Sequence, residues 1–254
     1  MNFKYSYLTD IGRRRSKNQD SLTVVPELGL FIVADGMGGH QGGEIASAMA
    51  IETIEAIVMQ EETTPRWNPK NTIIHAISEA NRAIFTRSRK EIQLQGMGTT
   101  TTAILLKDNL LTIGHVGDSR SYFIRPNQIW QLTRDHSFVQ EKIRAGLITR
   151  EQAKTDKMKN VITRSVGFES KVEVETYEMT VQPGDIFLIC SDGLSGLVED
   201  LQILEIIQNK MIGPHHFDQE ALDLTVKNLV DLANETGGDD NISAVLFQFE
   251  KSES

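Results

Sequence analysis

The chain has a single cysteine, Cys190, among its 254 residues. That excludes an internal disulfide framework and fits a reducing compartment, so a cytoplasmic protein is expected. Long apolar runs are missing too. No segment approaches the ~20 apolar residues needed to span a bilayer, and the opening Met-Asn-Phe-Lys-Tyr is not the apolar core of a signal peptide. Basic charge is scarce: 26 Lys and Arg face 35 Asp and Glu, for a net charge of −9. This argues against nucleic-acid binding, which draws its affinity from clustered Lys and Arg. A phosphorylated substrate stays open, because a divalent cation can locally reverse the sign of the field. There is no Pro/Ser-rich linker, no low-complexity tract and no fixed repeat, and the length fits one large domain or two small ones.

The usual nucleophile signatures are also lacking. No Gly-x-Ser-x-Gly elbow, no Gly-x-x-x-x-Gly-Lys loop and no His-Glu-x-x-His spacing occurs. Cys190 lies in an apolar strand without the amide loop and arginine a phosphocysteine mechanism would need, so it reads as a buried thiol. Ser119 and Ser191 read as turn formers.

What the chain does have is five short motifs that each set an aspartate at the edge of an apolar run. They are Asn18-Gln19-Asp20, Ala34-Asp35-Gly36-Met37-Gly38-Gly39-His40, Gly117-Asp118-Ser119-Arg120, Ser191-Asp192-Gly193 and Gly238-Asp239-Asp240-Asn241. A carboxylate at the end of a buried strand is costly without compensation, and several converging would repel one another unless a cation lay between them. Oxygen-only donors are what hard cations such as Mg²⁺ or Mn²⁺ select. Each aspartate alone also has a plainer reading, as an Asx turn, a helix cap or a loop residue. The glycines after Asp35 add weight there, since they let backbone carbonyls approach an ion. Asp118, between two predicted strands, reads locally as a hairpin turn. Arg13, Arg14 and Arg15 form the only tight basic cluster. In an extended segment Arg14 and Arg15 would face opposite ways, leaving one arginine for a bidentate phosphate contact and the rest for solvent.

Element patterns mix strands and helices. Thr99 to Leu106 and Leu110 to Val116 flank an Asp108-Asn109 turn, and Ser121 to Arg125 and Gln128 to Leu132 flank Pro126-Asn127. Both read as β-hairpins, hence antiparallel sheet. Further strands are expected at Lys171 to Glu178, Ile186 to Cys190 and Ile242 to Phe249. Apolar residues recur at helical spacing from Glu44 to Gln60, Pro69 to Gln95 and Gln219 to Glu235. Together these imply an α+β protein with helices covering a pair of packed antiparallel sheets.

The five motifs in this order, from Thr9-Asp10-Ile11-Gly12 to Asp240-Asn241-Ile242-Ser243, resemble the metal-dependent Ser/Thr protein phosphatases (PPM, type 2C), in their bacterial form. The resemblance covers nearly the whole chain. It implies a four-layer αββα sandwich, one catalytic domain over 1–254, and a flap around 135–170. By motif, Asp35 resembles the carboxylate bridging two Mn²⁺ or Mg²⁺ ions, with Gly36 offering its carbonyl and Asp192 and Asp240 completing the pair of sites. Asp118 resembles the contact for a third, weaker ion, and Asp20 would act mainly through water. Arg15 matches the phosphate-binding arginine. The implied reaction is one-step hydrolysis of phosphoserine and phosphothreonine in proteins by a water bridging the two ions. Implied partners are phosphoproteins, including a bacterial Ser/Thr kinase, and a stand-alone monomer is expected. Two departures stand out: Gln19 replaces a frequent glutamate, and Met37 occupies the position of a histidine acid in eukaryotic members. A non-catalytic phosphoprotein binder and a metal-dependent nuclease are the alternatives. The first should have lost one of Asp35, Asp192 and Asp240, and the second lacks its basic patch.

Overall fold

The structure is a computed structural model that describes residues 2–38, 42–65, 67–211 and 218–250; Gly39 and His40 of the glycine-rich motif lie outside them. Two antiparallel sheets stack face to face. One holds β1 (Asn2–Asp10), β7 (Arg120–Arg125), β8 (Gln128–Gln131), β10 (Ile186–Cys190) and β11 (Ile242–Glu250), in the order β1-β11-β10-β7-β8. The other holds β2 (Asp20–Val25), β3 (Leu30–Met37), β5 (Thr101–Lys107), β6 (Leu110–Val116) and β9 (Glu175–Thr180), in the order β2-β3-β5-β6-β9, with the short β4 (Gly98–Thr99) paired to β3.

Strand periodicity explains the layers. In β3, Phe31 and Val33 point into the space between the sheets, where they meet Phe187, Ile189, Val245 and Phe247. Phe31 and Phe247 stack with ring centroids 4.0 Å apart. The alternate residues Leu30, Ile32 and Ala34 point outward and are buried as well, beneath α1 (Gly42–Glu62) and α2 (Pro69–Lys90). On the far side, α5 (Asp192–Ser195), α6 (Asp200–Met211) and α7 (Gln219–Thr236) cover the outer face of β10 and β11. The architecture is thus the expected helix–sheet–sheet–helix sandwich. Helix starts follow local chemistry: the Asn68 side chain accepts from the Asn71 N–H ahead of α2, and Asp218 accepts from Ala221 N–H ahead of α7.

Four local expectations shift. The second helix ends at Lys90 rather than Gln95, because Glu91 turns extended (φ −109°, ψ 105°) and a 3-10 turn, Ile92–Leu94, follows. The strand expected at Lys171 to Glu178 runs instead over Glu175–Thr180, where it pairs with β6. Asp118 is not in a hairpin: β6 and β7 belong to different sheets, so Gly117-Asp118-Ser119 carries the chain from one to the other. Residues 12–14 form a turn rather than an extended segment. Arg14 nevertheless engages Asp239 and Arg15 engages Asp240, so the two arginines do serve different carboxylates.

Between β8 and β9, α3 (Phe138–Arg144) and α4 (Arg150–Lys154) bury no residue fully and are held by side-chain caps from Ser137 and Thr149. Bridges Ser137↔Ile162 and Thr99↔Val166 fasten this segment to the sandwich.

Candidate metal centre

All five aspartates gather at one end of the sandwich. In sheet register Asp20, first residue of β2, lies directly opposite Asp35 of β3. Asp192 follows β10, Asp240 precedes β11, and Asp118 lies on the crossover between sheets. Asp20 is buried, while the other four are partly accessible.

Each carboxylate is set by neighbours that hold its backbone. Asp35 donates its N–H to Thr100 Oγ1 at 2.9 Å, and its carbonyl accepts from Thr100 N–H at 2.8 Å and Thr99 Oγ1 at 2.9 Å. Thr100 Oγ1 in turn lies 2.8 Å from Ser119 Oγ, next to Asp118. Gly36 must lack a side chain, since a Cβ there would fall 2.0 Å from the Gly43 carbonyl. Reciprocally, a Cβ on Gly43 would lie 2.6 Å from the Gly36 carbonyl oxygen. Two glycines therefore let the first turn of α1 close on β3. The Gln19 amide packs against the same Gly43.

Ser191 donates to Asp20 Oδ2 at 2.8 Å and accepts from Ser243 N–H at 3.0 Å. Beneath Asp118, His136 grips Gly117 twice: its N–H donates to the Gly117 carbonyl at 2.7 Å, and its Nδ1 accepts from Gly117 N–H at 3.0 Å. Arg120 forks onto Asp135 at 2.7–3.1 Å. Thr100, Ser119, Ser191, Asn241 and His136 are positioning residues; in the sequence Ser119 and Ser191 read only as turn formers and Asn241 only as part of its motif, and nothing singles out Thr100 and His136. The one available signal was polarity inside apolar stretches, as in Thr99-Thr100-Thr101-Thr102 and Ser191 after Ile186–Cys190.

The electrostatics are dominated by burial and by mutual repulsion among the carboxylates. Burial first, then the charges of Asp20, Asp192, Asp118 and Asp240, raise the Asp35 pKa well above the usual carboxylate range. Burial lifts Asp20 to about 7 despite hydrogen bonds from Ser243 and Ser191. Burial, then Asp192 and Asp135, lifts Asp118 to about 8. Asp192 is raised by burial and Asp240, against the opposing effect of a hydrogen bond with Asp35 and the charges of Arg120 and Arg15. Oδ1 of Asp20 and Oδ1 of Asp192 are buried with no hydrogen-bond partner. Such orphaned acceptors cost free energy unless something electropositive meets them.

Among the described residues, no three His, Cys, Asp or Glu side chains by themselves form a ready cage for an ion. Backbone carbonyl and water oxygens must complete the set, which suits hard cations that take six or more oxygen ligands. The residues present therefore fit Mn²⁺ or Mg²⁺: oxygen donors only, two orphaned carboxylate oxygens and mutual repulsion to be neutralised. At the rim, Arg15 Nη2 donates to Asp240 Oδ2 at 2.6 Å. Met37, directly after Asp35-Gly36, offers a thioether and no proton.

The profile of the Protein phosphatase 2C family matches residues 12–246. A Listeria monocytogenes protein named serine/threonine phosphatase stp is 36% identical over 251 residues, covering 95% of this chain and 94% of that one. The Mycobacterium tuberculosis serine/threonine phosphatase PstP/Ppp superimposes with a TM-score of 0.87 at 34% identity, covering 98% and 99% of the two chains. A second crystal structure, the PstP catalytic domain in complex with two manganese ions, gives a TM-score of 0.85 at 34% identity over the same shares. The chain belongs to the protein phosphatase 2C family.

Proposed function

We propose that this phosphatase hydrolyses phosphoserine and phosphothreonine esters of proteins at the aspartate cleft, in one step and without a phosphoenzyme. The observation that carries the reading is the gathering of Asp20, Asp35, Asp118, Asp192 and Asp240, with two orphaned carboxylate oxygens among them. Asp35, the Gly36 carbonyl, Asp192 and Asp240 would hold two Mn²⁺ or Mg²⁺ ions. Asp118 would hold a third and weaker one, and Asp20 would act through water. When bound, the ions supply positive charge that acidifies water towards neutrality and balances the phosphoryl oxygens.

The chain's own groups divide the remaining work. Arg15 binds the phosphate by a forked, charge-assisted contact, for which it must release or share Asp240. Thr100, its hydroxyl held by Ser119, fixes the backbone of Asp35, and Ser191, held by the Ser243 N–H, orients Asp20. Direct hydrolysis is favoured because the candidate nucleophiles beside the motif aspartates, Ser119, Ser191 and Cys190, are engaged or inert. The Ser191 hydroxyl is committed to Asp20 and Ser119 to Thr100, while burial pushes the Cys190 thiol up to about 12. One catalytic domain over 1–254, with 135–170 as a flap beside the cleft, completes the reading. Its setting is cytoplasmic and monomeric, opposing a Ser/Thr kinase on shared phosphoproteins; no helix among the described residues is long and apolar enough to cross a membrane.

The test is hydrolysis of p-nitrophenyl phosphate and a phosphothreonine peptide, with and without Mn²⁺, by wild type and Asp35→Asn. Mn²⁺-dependent turnover in the wild type alone is expected. A metal-loaded wild type inert on both substrates would rule the reading out.

A further inference from the structure

Asn241 follows the turn Gly237-Gly238-Asp239-Asp240 and opens the way into β11, and its side chain is buried. An asparagine amide offers one acceptor oxygen and two N–H donors. Here Oδ1 accepts from Gln19 N–H at 2.8 Å, and Nδ2 donates to the carbonyls of Ile11 and Lys17, each at 2.9 Å. All three partners are backbone atoms of the segment between β1 and β2, and that segment carries Arg15. It has no helix or ladder to fix it, so its backbone groups must be satisfied from outside. Gly238 supplies one tie, its carbonyl accepting from Arg13 and Arg14 N–H at 2.8 and 3.2 Å. Asn241 supplies three more and brackets Arg15 on both sides, at Ile11 and at Lys17.

The same residue fixes the other end of the Arg15–Asp240 contact. Its own N–H donates to Asp240 Oδ1 at 2.8 Å, leaving Oδ2 facing the guanidinium. Its carbonyl lies where a Cβ on Gly193 would be 2.0 Å away, so only glycine after Asp192 lets the two turns meet. Through its side chain and its backbone, one buried asparagine thus joins the Ile11-to-Gln19 segment, Asp240 and the Asp192 turn. Asparagine is chemically required: an aspartate has nearly the same shape but would turn two donors into a negative charge against two carbonyl oxygens.

We propose that Asn241 is the positioning residue for phosphate binding by Arg15. It does not touch phosphate; it holds the Ile11-to-Gln19 backbone so that the guanidinium faces the cleft. The proposal rests on the phosphate-binding role given to Arg15 above.

The test compares Asn241→Ala, Asn241→Asp, Arg15→Ala and the Arg15→Ala/Asn241→Ala double variant in the full chain. Inhibition by inorganic phosphate and the KM and kcat for p-nitrophenyl phosphate are read beside calorimetric Mn²⁺ binding and thermal unfolding. Both Asn241 variants are expected to keep Mn²⁺ binding within about threefold, yet to weaken phosphate inhibition and raise KM on the order of tenfold, with kcat falling less. In the Arg15→Ala background, removing Asn241 should cost less than about threefold more, because its effect runs through Arg15. Full additivity of the two changes overturns the proposal, as does a loss of Mn²⁺ binding with phosphate affinity unchanged. If Arg15→Ala alone leaves phosphate affinity intact, the role of Arg15 fails and this inference with it. Should Asn241→Ala not fold, the near-isosteric Asn241→Asp, alone and combined with Arg15→Ala, carries the same comparison.

Discussion

Arg15 Nη2 donates to Asp240 Oδ2 across 2.6 Å, joining residues 225 positions apart in sequence. The pair joins the proposed phosphate-binding arginine to a proposed metal ligand. Both side chains are well exposed, at 50% and 34%, so the pair itself contributes at most about 1 kcal/mol to stability. Arg15→Ala should therefore leave the unfolding temperature almost unchanged while lowering kcat/KM roughly 10²–10³-fold, the usual cost of losing a donor to developing negative charge. Mn²⁺ affinity should not fall, because Asp240 is released from a competitor. Calorimetric titration showing clearly weaker Mn²⁺ binding would contradict this division of roles.

Asp35→Asn should split activity from stability. Turnover and Mn²⁺ binding are expected to collapse, since the carboxylate facing the other four is gone. The metal-free variant should melt higher than metal-free wild type at neutral pH, by roughly 2–4 °C for each kcal/mol of repulsion relieved. A lower melting point in the metal-free state would count against burial and repulsion as the cause of the raised Asp35 pKa.

Stability of the metal-free protein should fall as pH rises. Asp20 and Asp118 bind protons up to about 7 and about 8 when folded, against 3.8 when unfolded, so across that interval the folded state holds more protons. The stabilisation is complete below 3.8 and is lost as pH climbs through the folded values. His115, pushed down to about 4 chiefly by burial, is neutral in the folded protein, and above its ordinary 6.5 it is largely neutral unfolded too, so it adds little slope there. Thermal unfolding in chelator between about pH 6.5 and 8.5 should show a declining midpoint, and added Mn²⁺ should raise that midpoint more at the upper end. A flat profile, or a Mn²⁺ shift that shrinks with pH, would sink the prediction.

Asp118→Asn should reduce activity roughly ten- to a hundredfold while two tightly bound ions remain countable by calorimetry. Loss of both tight ions would remove Asp118 from its place as the weaker, third-ion contact.

Gln19→Glu should tighten Mn²⁺ binding by about two- to tenfold, because a carboxylate would replace the amide that packs beside Gly43 in the first turn of α1, where negative charge is also favoured. Unchanged or weaker binding in a titration would show that the amide already serves as well as a carboxylate.

Local chemistry made much of this protein legible in its sequence. The continuous apolar run Phe31-Ile32-Val33-Ala34, the hairpin patterns and the helical spacing through α1, α2 and α7 are short-range consequences of strand and helix geometry, and they predicted the sandwich with its helical covers. The edge-of-strand aspartates, with the glycines beside them, predicted the oxygen-only site. Failures came where a local pattern has two tertiary outcomes. Gly117-Asp118-Ser119 looks like a hairpin turn, yet crosses between sheets, because the next strand pairs with β10 rather than back onto β6.

The sequence alone determined which residue types could bind a cation and which apolar faces had to be covered. Tertiary structure decided the partners: Asp20 opposite Asp35, Thr100 and Ser119 behind Asp35, His136 under Gly117, and Asn241 bridging to the Arg15 segment. The reason is physical. Those contacts follow from β11 lying between β1 and β10, and from the two sheets meeting at one end, and long-range strand order leaves no periodic trace in the residues it brings together.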